Sequence, residues 1–339
     1  MLYKRLVHLT CAALLSGCVF GLSSAAASAA TLSGAGSTLV APIEAEWAAA
    51  FDSSTGDTVT YASVGSGTGY KDIAAGQVDF GASDAPLSVY SSPPCNSCVQ
   101  IPWALTATGV SFHIPGISRL HLTGPVIAAI YLGQITNWND GRIASLNRGV
   151  HLPNLKITVF WRSDGSGDTY AFTRYLSDVS GAFNSKVGSS TAVNFPVGQG
   201  ARGNSGLVTA IQQTNGGIAY IAVSYLIANR MAAAAIKNAG GRYVVPNLSN
   251  IEAAASAVHH VPSNNQLTIV NPPRNAKSAY AISTFTYVIV PTNAKQGTLL
   301  KQFIGYALGQ GQQFGPRLDF APLPRAVLNA ARNTLNGIS

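Results

Sequence analysis

The sequence predicts an α/β protein of two domains, and three observations indicate this fold class. Segments rich in β-branched and aromatic residues alternate with segments of helical periodicity along most of the chain, which favours mostly parallel sheets. The length of 339 residues suits two domains better than one. Hydrophobic residues make up 47% and charged residues 10%, a composition that is typical of folded chains and excludes a disordered one.

The N-terminal segment has the layout of a secretory signal. A short basic start is followed by the largely apolar run 6–22 and then by small residues. The apolar run is short for a membrane span, so we expect residues 1–29 to be removed and the protein to be exported. Cleavage near Ala29 is one alternative. The other is a lipid anchor, because the sequence that ends at Cys18 also resembles a lipobox.

The predicted elements follow from periodicity and from glycine and proline breaks. The first helix has an apolar stripe from Leu39 to Phe51 at a spacing of four residues, and Ser37 or Thr38 is expected to cap it. An extended crossing segment is expected at 102–115. Strands are predicted at 58–63, 78–83, 110–112, 157–161, 218–222 and 279–290. Further helices are predicted at 70–75, 124–133, 143–146, 169–176, 207–213, 251–260, 298–308 and 324–335.

Glycine-rich turns precede three of the helices. They are GAGST at 34–38, GSGTG at 65–69 and RSDGSG at 162–167. Such turns expose backbone N–H groups at a helix N-terminus, and Arg162 and Ser166 add a guanidinium and a hydroxyl. For the third turn alone, the plainer interpretation is a structural loop in which Arg162 pairs with Asp164. Three such turns together favour a site that encloses one tetrahedral oxyanion.

Cys95 and Cys98 form a C-x-x-C motif in a turn-rich stretch. In an exported protein this motif predicts a local disulfide that stiffens a loop. Redox chemistry and zinc binding are the alternatives, although redox chemistry would need the motif at a strand-to-helix junction.

Several classes of chemistry lack the residues that they require. The sequence has no P-loop motif, and Ser205 fails the nucleophile-elbow pattern because Leu207 replaces its final glycine. His259 and His260 are adjacent, so on a helix they cannot chelate one metal from one face. The formal charge of +8 is scattered, which predicts a mild preference for anions and no nucleic-acid partner.

Taken together, these motifs resemble the phosphate-binding subunit of bacterial phosphate ABC importers, the PstS family. The resemblance covers nearly all of the chain after the signal, with order and approximate spacing kept. The matching segments are GAGST at 34–38 with AP at 41–42, GSG at 65–67, VDFGASDAP at 78–86, IYLG at 130–133, WND at 138–140, RSDGSG at 162–167, GN at 203–204 and GIAY at 217–220.

The resemblance implies the two-domain periplasmic-binding-protein fold, also called a Venus flytrap, in which two α/β domains close over a ligand by hinge motion. We expect residues 31–107 together with 279–339 to form domain I, and residues 108–278 to form domain II. The resemblance also implies a periplasmic or otherwise extracytoplasmic monomer that is not an enzyme and needs no cofactor. Its implied partners are inorganic phosphate and the membrane permease of the importer.

Matched position by position, the resemblance implies a phosphate site. Its predicted residues are Thr38, Leu39, Ser66, Asp84, Arg162, Ser166, Gly167 and Asp168. A dehydrated oxyanion needs many fixed donors, and Arg162 supplies the one formal positive charge. Leu39 stands where the family often has phenylalanine, and it would contribute only its backbone N–H.

The two acidic residues of this set need a reason to lie at an anion site. Phosphate keeps a proton near neutral pH, and Asp84 can accept it, whereas sulfate has no proton to give. Asp168 stands where many family members have threonine. We hypothesise that it contacts a second phosphate proton and favours the doubly protonated monoanion. The alternative for Asp168 is that it caps its helix or pairs with Arg162. The alternative for Asp84 is that it is only a turn residue.

Two other functions are alternatives to phosphate transport. Binding of another oxyanion, such as sulfate or molybdate, is disfavoured by Asp84 and Asp168. An extracytoplasmic phosphatase would need a nucleophile or metal ligands that the sequence does not offer in a recognisable pattern.

Overall fold

The computed structural model describes residues 29–92 and 95–339. The predictions of a signal segment and of lipidation at Cys18 fall outside the described residues, apart from residue 29. No helix within the described ranges is long and apolar enough to cross a membrane. The strands are β1 Thr31–Gly36, β2 Thr58–Ser63, β3 Phe80–Ser83, β4 Cys98–His113, β5 His121–Thr123, β6 Thr158–Arg162, β7 Gln199–Ala201, β8 Gly217–Ala222, β9 Ala235–Lys237, β10 Tyr243–Val244 and β11 Ser283–Pro291. The helices are α1 Ala41–Thr55, α2 Ser66–Ala74, α3 Gly124–Tyr131, α4 Gly141–Ala144, α5 Gly167–Val179, α6 Gly181–Lys186, α7 Gly203–Gln212, α8 Val223–Ala228, α9 Leu248–Ala255, α10 Gly297–Ala307 and α11 Arg325–Asn336.

Eight of these strands form one sheet, in the order β2-β1-β3-β11-β4-β8-β6-β7. At both ends of the sheet the strands run parallel, since β1 pairs with β2 and β3, and β6 pairs with β7 and β8. In the centre, β11 and β4 run antiparallel to each other and to their other neighbours. The α/β class is therefore confirmed, and the antiparallel centre is a feature that the alternation of elements did not predict.

Strand β4 crosses the molecule and changes its partner on the way. Its residues up to Ala107 pair with β11, and those from Thr108 onwards pair with β8. We call the part built on β1, β2, β3 and β11 lobe 1, and the part built on β6, β7 and β8 lobe 2. Because the exchange falls between Ala107 and Thr108, we keep 31–107 with 279–339, and 108–278, as the proposed division into domains.

The four helices beside the predicted site all begin at other residues than expected. Helix α5 begins at Gly167 instead of residue 169, and α7 begins at Gly203 instead of residue 207. Helix α1 begins at Ala41 with Val40 in the N-cap position, so the expectation that Ser37 or Thr38 caps it is wrong. A proline in the first turn fixes the start of the helix, and Ser37 lies in the turn before it. Helix α2 begins at Ser66 rather than at Tyr70, because the small residues of the GSGTG turn are themselves helical.

Aromatic side chains fix the elements of each lobe. In lobe 1 the ring centroids of Trp47 and Trp103 lie 5.0 Å apart, which packs α1 against β4. In lobe 2 Phe172 stacks on Tyr220 at 4.4 Å, which packs α5 against β8. This second contact positions the site, because the hydroxyl of Tyr220 accepts the backbone N–H of Arg162 at 3.0 Å.

Cys95 and Cys98 form a disulfide, as the sequence predicted. The backbone N–H of Cys98 also donates to the carbonyl oxygen of Cys95 at 3.1 Å. Both cysteines pack against a small apolar cluster that contains Tyr70, Ile73 and Ile289. The disulfide therefore closes the turn before β4, and this turn packs against the interior of lobe 1.

Candidate functional site

The N-termini of four helices meet between the lobes. Helices α1 and α2 belong to lobe 1, and α5 and α7 belong to lobe 2. The backbone N–H of Gly167 donates to Ser66 Oγ at 3.1 Å, and Asn204 Nδ2 donates to Thr38 Oγ1 at 2.8 Å. Because helix N-termini carry unpaired N–H groups and a partial positive charge, a cleft lined by several of them suits an anion.

The structure brings the eight predicted ligand residues together in this cleft. Thr38, Leu39, Ser66 and Asp84 lie on lobe 1, and Arg162, Ser166, Gly167 and Asp168 lie on lobe 2. All of them are buried. Their contact with a ligand is part of the function proposed below.

Asp84 follows β3 at its carboxyl end, and hydroxyl groups surround its carboxylate. Ser37 Oγ lies 2.7 Å from Oδ1 and 2.6 Å from Oδ2, and Ser66 Oγ donates to Oδ2 at 3.3 Å. Burial, and next the negative charge of Asp168, raise the pKa of Asp84 to about 7. The hydrogen bonds from Ser37 and Ser66 and the positive charge of Arg162 lower this pKa, but by less. Asp84 can therefore gain or lose a proton near neutral pH.

The GAGST turn places two of the predicted donors of lobe 1. The backbone N–H of Leu39 donates to Ser37 Oγ at 3.0 Å, so in this structure it already has a partner. Thr38 Oγ1 accepts from Asn204, which leaves its own O–H free to donate. Gly36 has a φ of +146°, and a Cβ at this position would lie 2.1 Å from the carbonyl oxygen of Ala82. Only glycine fits there.

Two carboxylates hold the guanidinium of Arg162. Nε and Nη2 donate to Asp164 at 2.7 and 2.5 Å, and Nη1 donates to Asp168 at 3.1 Å. The Arg162 side chain is only 1% exposed. Burial alone would raise the pKa of Asp164, but the bonds and charge of Arg162 hold it below its usual value. The ion pair between Arg162 and Asp164, which a purely structural loop was also expected to contain, is therefore present. It fixes the guanidinium plane and leaves one N–H on each terminal nitrogen unused.

Asp168 lies in the first turn of α5 and is completely buried. Its Oδ1 accepts from Thr108 at 2.7 Å, and its Oδ2 accepts from Arg162 and, at 2.8 Å, from Asn204. The pairing with Arg162 is therefore present, whereas the side chain that caps α5 belongs to Ser166. Burial raises the pKa of Asp168 in spite of these donors. One acceptor position on Oδ1 has no donor among these contacts, so the hypothesis of a contact with a phosphate proton stays a prediction.

Ser166 and Gly167 complete the lobe 2 side. The backbone N–H of Ser166 donates to the carbonyl oxygen of Thr191 at 2.8 Å, and Ser166 Oγ accepts from the N–H of Thr169 at 3.4 Å. The hydroxyl of Ser166 thus keeps its hydrogen for another acceptor, at the N-terminus of α5.

The cleft holds more carboxylates than cations. If Asp84, Asp164 and Asp168 were all ionised around Arg162, the local charge would be negative and would repel an anion. The raised pKa values of Asp84 and Asp168 reduce this repulsion, because a proton can be kept on one of them or shared with a ligand. Across the residues that the structure describes, no group of three or more His, Cys, Asp or Glu side chains could hold a metal ion.

Three polar residues of the cleft were missed by sequence reasoning as parts of the site. Ser37 lies in the GAGST turn that is predicted to help enclose the anion, but the only role predicted for its own side chain is that of a helix cap. Asn204 stands in a segment that carried the family resemblance, so a signal was available. Thr108 lies in an apolar strand, and nothing in its local sequence distinguishes it from the other hydroxyls of β4.

The fold defines the class of protein. A family model described as the PBP superfamily domain matches residues 23–310. A phosphate-binding protein from Stenotrophomonas maltophilia has the same fold, with a TM-score of 0.68 at 21% identity over 91% of this chain and 94% of that chain. The high-affinity periplasmic phosphate-binding protein PfluDING, solved with phosphate bound, gives a TM-score of 0.69 at 22% identity over 89% and 93% of the two chains.

Two relatives at higher identity define the family within this class. The phosphate-binding protein PstS of Xylella fastidiosa is 36% identical over 300 residues, which cover 86% of this chain and 81% of the relative. The PstS protein of Pasteurella multocida is 33% identical over 321 residues, which cover 93% of each chain. The chain belongs to the PstS family of phosphate-binding proteins, and the family predicted from its glycine-rich turns is confirmed.

Proposed function

We propose that this protein binds inorganic phosphate between its lobes, outside the cytoplasm, and delivers it to the membrane permease of an ABC importer. One observation carries the proposal: the buried guanidinium of Arg162 keeps unused N–H groups where four helix N-termini meet, opposite Asp84. Membership of the PstS family supports phosphate as the ligand and transport as the role. The secretory layout of the N-terminus supports the location. The protein acts as a monomeric carrier and leaves its ligand chemically unchanged.

Donors from both lobes surround the proposed ligand. Hydroxyls of Thr38 and Ser166 and the guanidinium of Arg162 replace the water that the anion loses on entry. The hydroxyl of Ser66, which here donates to Asp84, joins them when the ligand competes for it. The backbone N–H groups of Leu39 and Gly167, which now bond to serine hydroxyls, complete the set when the ligand competes for them. Hydrogen bonds to a charged group contribute about 1.5–3 kcal/mol each, so several of them support tight binding.

Asp84 gives the site its preference for phosphate. A protonated phosphate oxygen can donate to the carboxylate of Asp84, and the pKa of about 7 lets the proton be shared near neutral pH. Sulfate carries no proton, so its oxygens would face the lone pairs of Asp84 without a hydrogen between them. A buried acceptor of this kind selects against ligands that lack the donor, because it is then left unpaired.

Lobe motion would admit and enclose the ligand. The bonds between Gly67 and Gly165 and between Ser66 and Gly167 join lobe 1 to lobe 2 directly over the site. A phosphate could not pass between glycine backbones at such short range, so binding requires the lobes to separate. The strand β4, which continues through both lobes, is the natural place for a hinge.

Equilibrium dialysis of the protein, freed of bound anion, against radiolabelled phosphate tests this function. We expect one phosphate per chain, retained unchanged, and no release of chromophore from a chromogenic phosphoester. Hydrolysis of the phosphoester would favour the phosphatase alternative, and absence of phosphate binding would refute the proposal. Delivery is tested by adding the loaded protein to vesicles that contain the permease and following ATP-dependent phosphate uptake.

A further inference from the structure

Asn204 connects the two lobes within the cleft. It lies in the first turn of α7 on lobe 2 and is completely buried. Its Nδ2 donates to Thr38 Oγ1 on lobe 1 at 2.8 Å and to Asp168 Oδ2 on lobe 2 at 2.8 Å. Its Oδ1 accepts the backbone N–H of Ala222 at 2.9 Å, which fixes which way the amide points. Both hydrogens of the amide are thus used, and each binds a residue of the proposed ligand set.

The bond to Thr38 determines the direction of a ligand donor. A threonine hydroxyl has one hydrogen. Because a lone pair of Thr38 Oγ1 faces the amide of Asn204, the hydrogen of this hydroxyl cannot point in that direction as well. The O–H of Thr38 is therefore directed away from Asn204. A hydroxyl that is already oriented loses less entropy when it binds a ligand than one that rotates freely.

The bond to Asp168 belongs to a longer polar chain. Asp168 also accepts from Thr108 on β4, at the residue where that strand passes from lobe 1 to lobe 2. Hydrogen bonds therefore run from Thr38 through Asn204 and Asp168 to the crossing strand. This chain can be complete only when the lobes are close together, since its first member is on lobe 1 and the next two are on lobe 2.

We propose that Asn204 is a positioning residue that fastens the closed lobes, by directing the hydroxyl of Thr38 toward the ligand and holding the carboxylate of Asp168 in place. This inference rests on the proposed phosphate-binding function for its ligand, and on the hydrogen bonds of Asn204 for the fastening. It assigns a role in closure to a residue that need not touch phosphate itself.

Two substitutions at Asn204 and one matched control test the proposal. Asn204→Ala removes the amide, and Asn204→Asp keeps its shape and its acceptor but removes both donors. The control is Asn147→Ala, because Asn147 is also a buried amide of lobe 2, and its partners His121 and Ile143 are not residues of the cleft. Phosphate affinity is measured by calorimetry, and lobe separation is measured as the radius of gyration by small-angle X-ray scattering.

We expect both Asn204 variants to bind phosphate about 10- to 100-fold more weakly than the parent, which corresponds to the loss of one or two buried hydrogen bonds. We also expect a larger radius of gyration for both, whereas Asn147→Ala lowers the melting temperature only. Parent affinity in Asn204→Asp, or an Asn204→Ala variant that behaves like the control, would overturn the proposal. If the parent itself binds no phosphate, the proposed function fails. The radii of gyration of the anion-free proteins then still test the fastening role. A larger radius for Asn204→Ala than for Asn147→Ala would support it, and equal radii would overturn it.

Discussion

The backbone N–H of Gly67 donates to the carbonyl oxygen of Gly165 at 3.0 Å, and this bond joins a turn of lobe 1 to a turn of lobe 2. A Cβ on Gly67 would lie 3.0 Å from the Cα of Gly165, and a Cβ on Gly167 would lie 2.4 Å from the Cβ of Asp84. The glycines of the two turns therefore let the lobes touch over the ligand, in addition to exposing backbone donors.

Replacement of Gly167 tests the close approach of the lobes. Gly167→Ala places a methyl group where Asp84 lies in the closed structure, so closure is obstructed and the open form is little affected. We expect phosphate binding to weaken by at least about tenfold, with a small change in the melting temperature of the anion-free protein. Calorimetry and thermal melts check this. The control is Gly181→Ala, because no heavy atom lies within 4 Å of the added Cβ; equal affinities in the two variants would contradict the account.

Replacement of Arg162 tests the source of positive charge. Arg162→Lys keeps the charge but cannot bond Asp164 through two nitrogens while also reaching Asp168 and a ligand. We expect phosphate affinity to fall by about 100-fold or more. The matched control is Arg174→Lys, since Arg174 is exposed on α5 and pairs with Asp178. A lysine variant at 162 that binds like the parent would mean that charge alone, without the planar fork, suffices.

Replacement of Asp84 tests the selection between phosphate and sulfate. Asp84→Asn exchanges an acceptor for an amide that can donate, so it weakens phosphate binding and removes the repulsion of sulfate. We expect the ratio of phosphate to sulfate affinity to drop by about 100-fold. Competition between the two anions in equilibrium dialysis measures the ratio. The exposed Asp52, at the far end of α1, provides the control Asp52→Asn, which should leave the ratio unchanged. An unchanged ratio in Asp84→Asn would rule out Asp84 as the selecting group.

Replacement of Asp168 tests the hypothesis of two acceptors. If Asp168 accepts a phosphate proton, the parent prefers the doubly protonated monoanion, and its affinity rises as the pH falls from about 8 to 5. Asp168→Thr should flatten this dependence, because threonine can donate where Asp168 could only accept. Calorimetry over this pH range decides the point. The same pH dependence in both proteins would leave Asp168 with its observed partners Arg162, Thr108 and Asn204 and without a role toward the phosphate proton.

Glu44 predicts a pH dependence of stability that is independent of the ligand. It is buried in the first turn of α1, and its Oε1 has no hydrogen-bond partner among the described residues. Burial raises its pKa from 4.5 to about 8. A raised pKa in the folded state stabilises the protein below the unfolded value, and this contribution is lost as the pH rises through the folded value. Relative to the parent, Glu44→Gln should therefore gain stability between about pH 5 and 9, on the order of 3 kcal/mol.

Denaturant unfolding across that range measures the effect, because it gives the free energy of unfolding at each pH. The control is Glu252→Gln, which makes the same change on the exposed side of α9. A difference between Glu44→Gln and the parent that stays constant with pH would mean that Glu44 has an ordinary pKa in the folded protein.

The sequence predicted the α/β class and most elements to within a few residues, because the apolar stripe of α1 and the β-branched runs of β6 and β8 are strong local signals. It did not predict the antiparallel centre, because the pairing of β4 with β11 and β8 joins segments more than a hundred residues apart. It also misplaced the start of α2, since glycines and serines favour turns locally and are helical here through packing.

The predicted site residues lie together because each is at or next to a strand end or a glycine-rich turn. Both features can be recognised in the local sequence. Their partners were harder to find. Ser37 and Asn204 matter through hydrogen bonds to Asp84 and Asp168 that cross between elements, and no local pattern encodes such contacts. Thr108 acquires its role from the place where β4 changes lobes, which is a property of the tertiary fold.

We propose that the cleft between the lobes is a phosphate site that requires a proton on its ligand. The most direct test is calorimetric titration of the anion-free protein with phosphate and, separately, with sulfate, at about pH 8, where Asp84 is mostly ionised, and at equal ionic strength. We expect one phosphate bound per chain and no heat of binding with sulfate. Binding of sulfate as tight as that of phosphate, or no binding of phosphate, would contradict it.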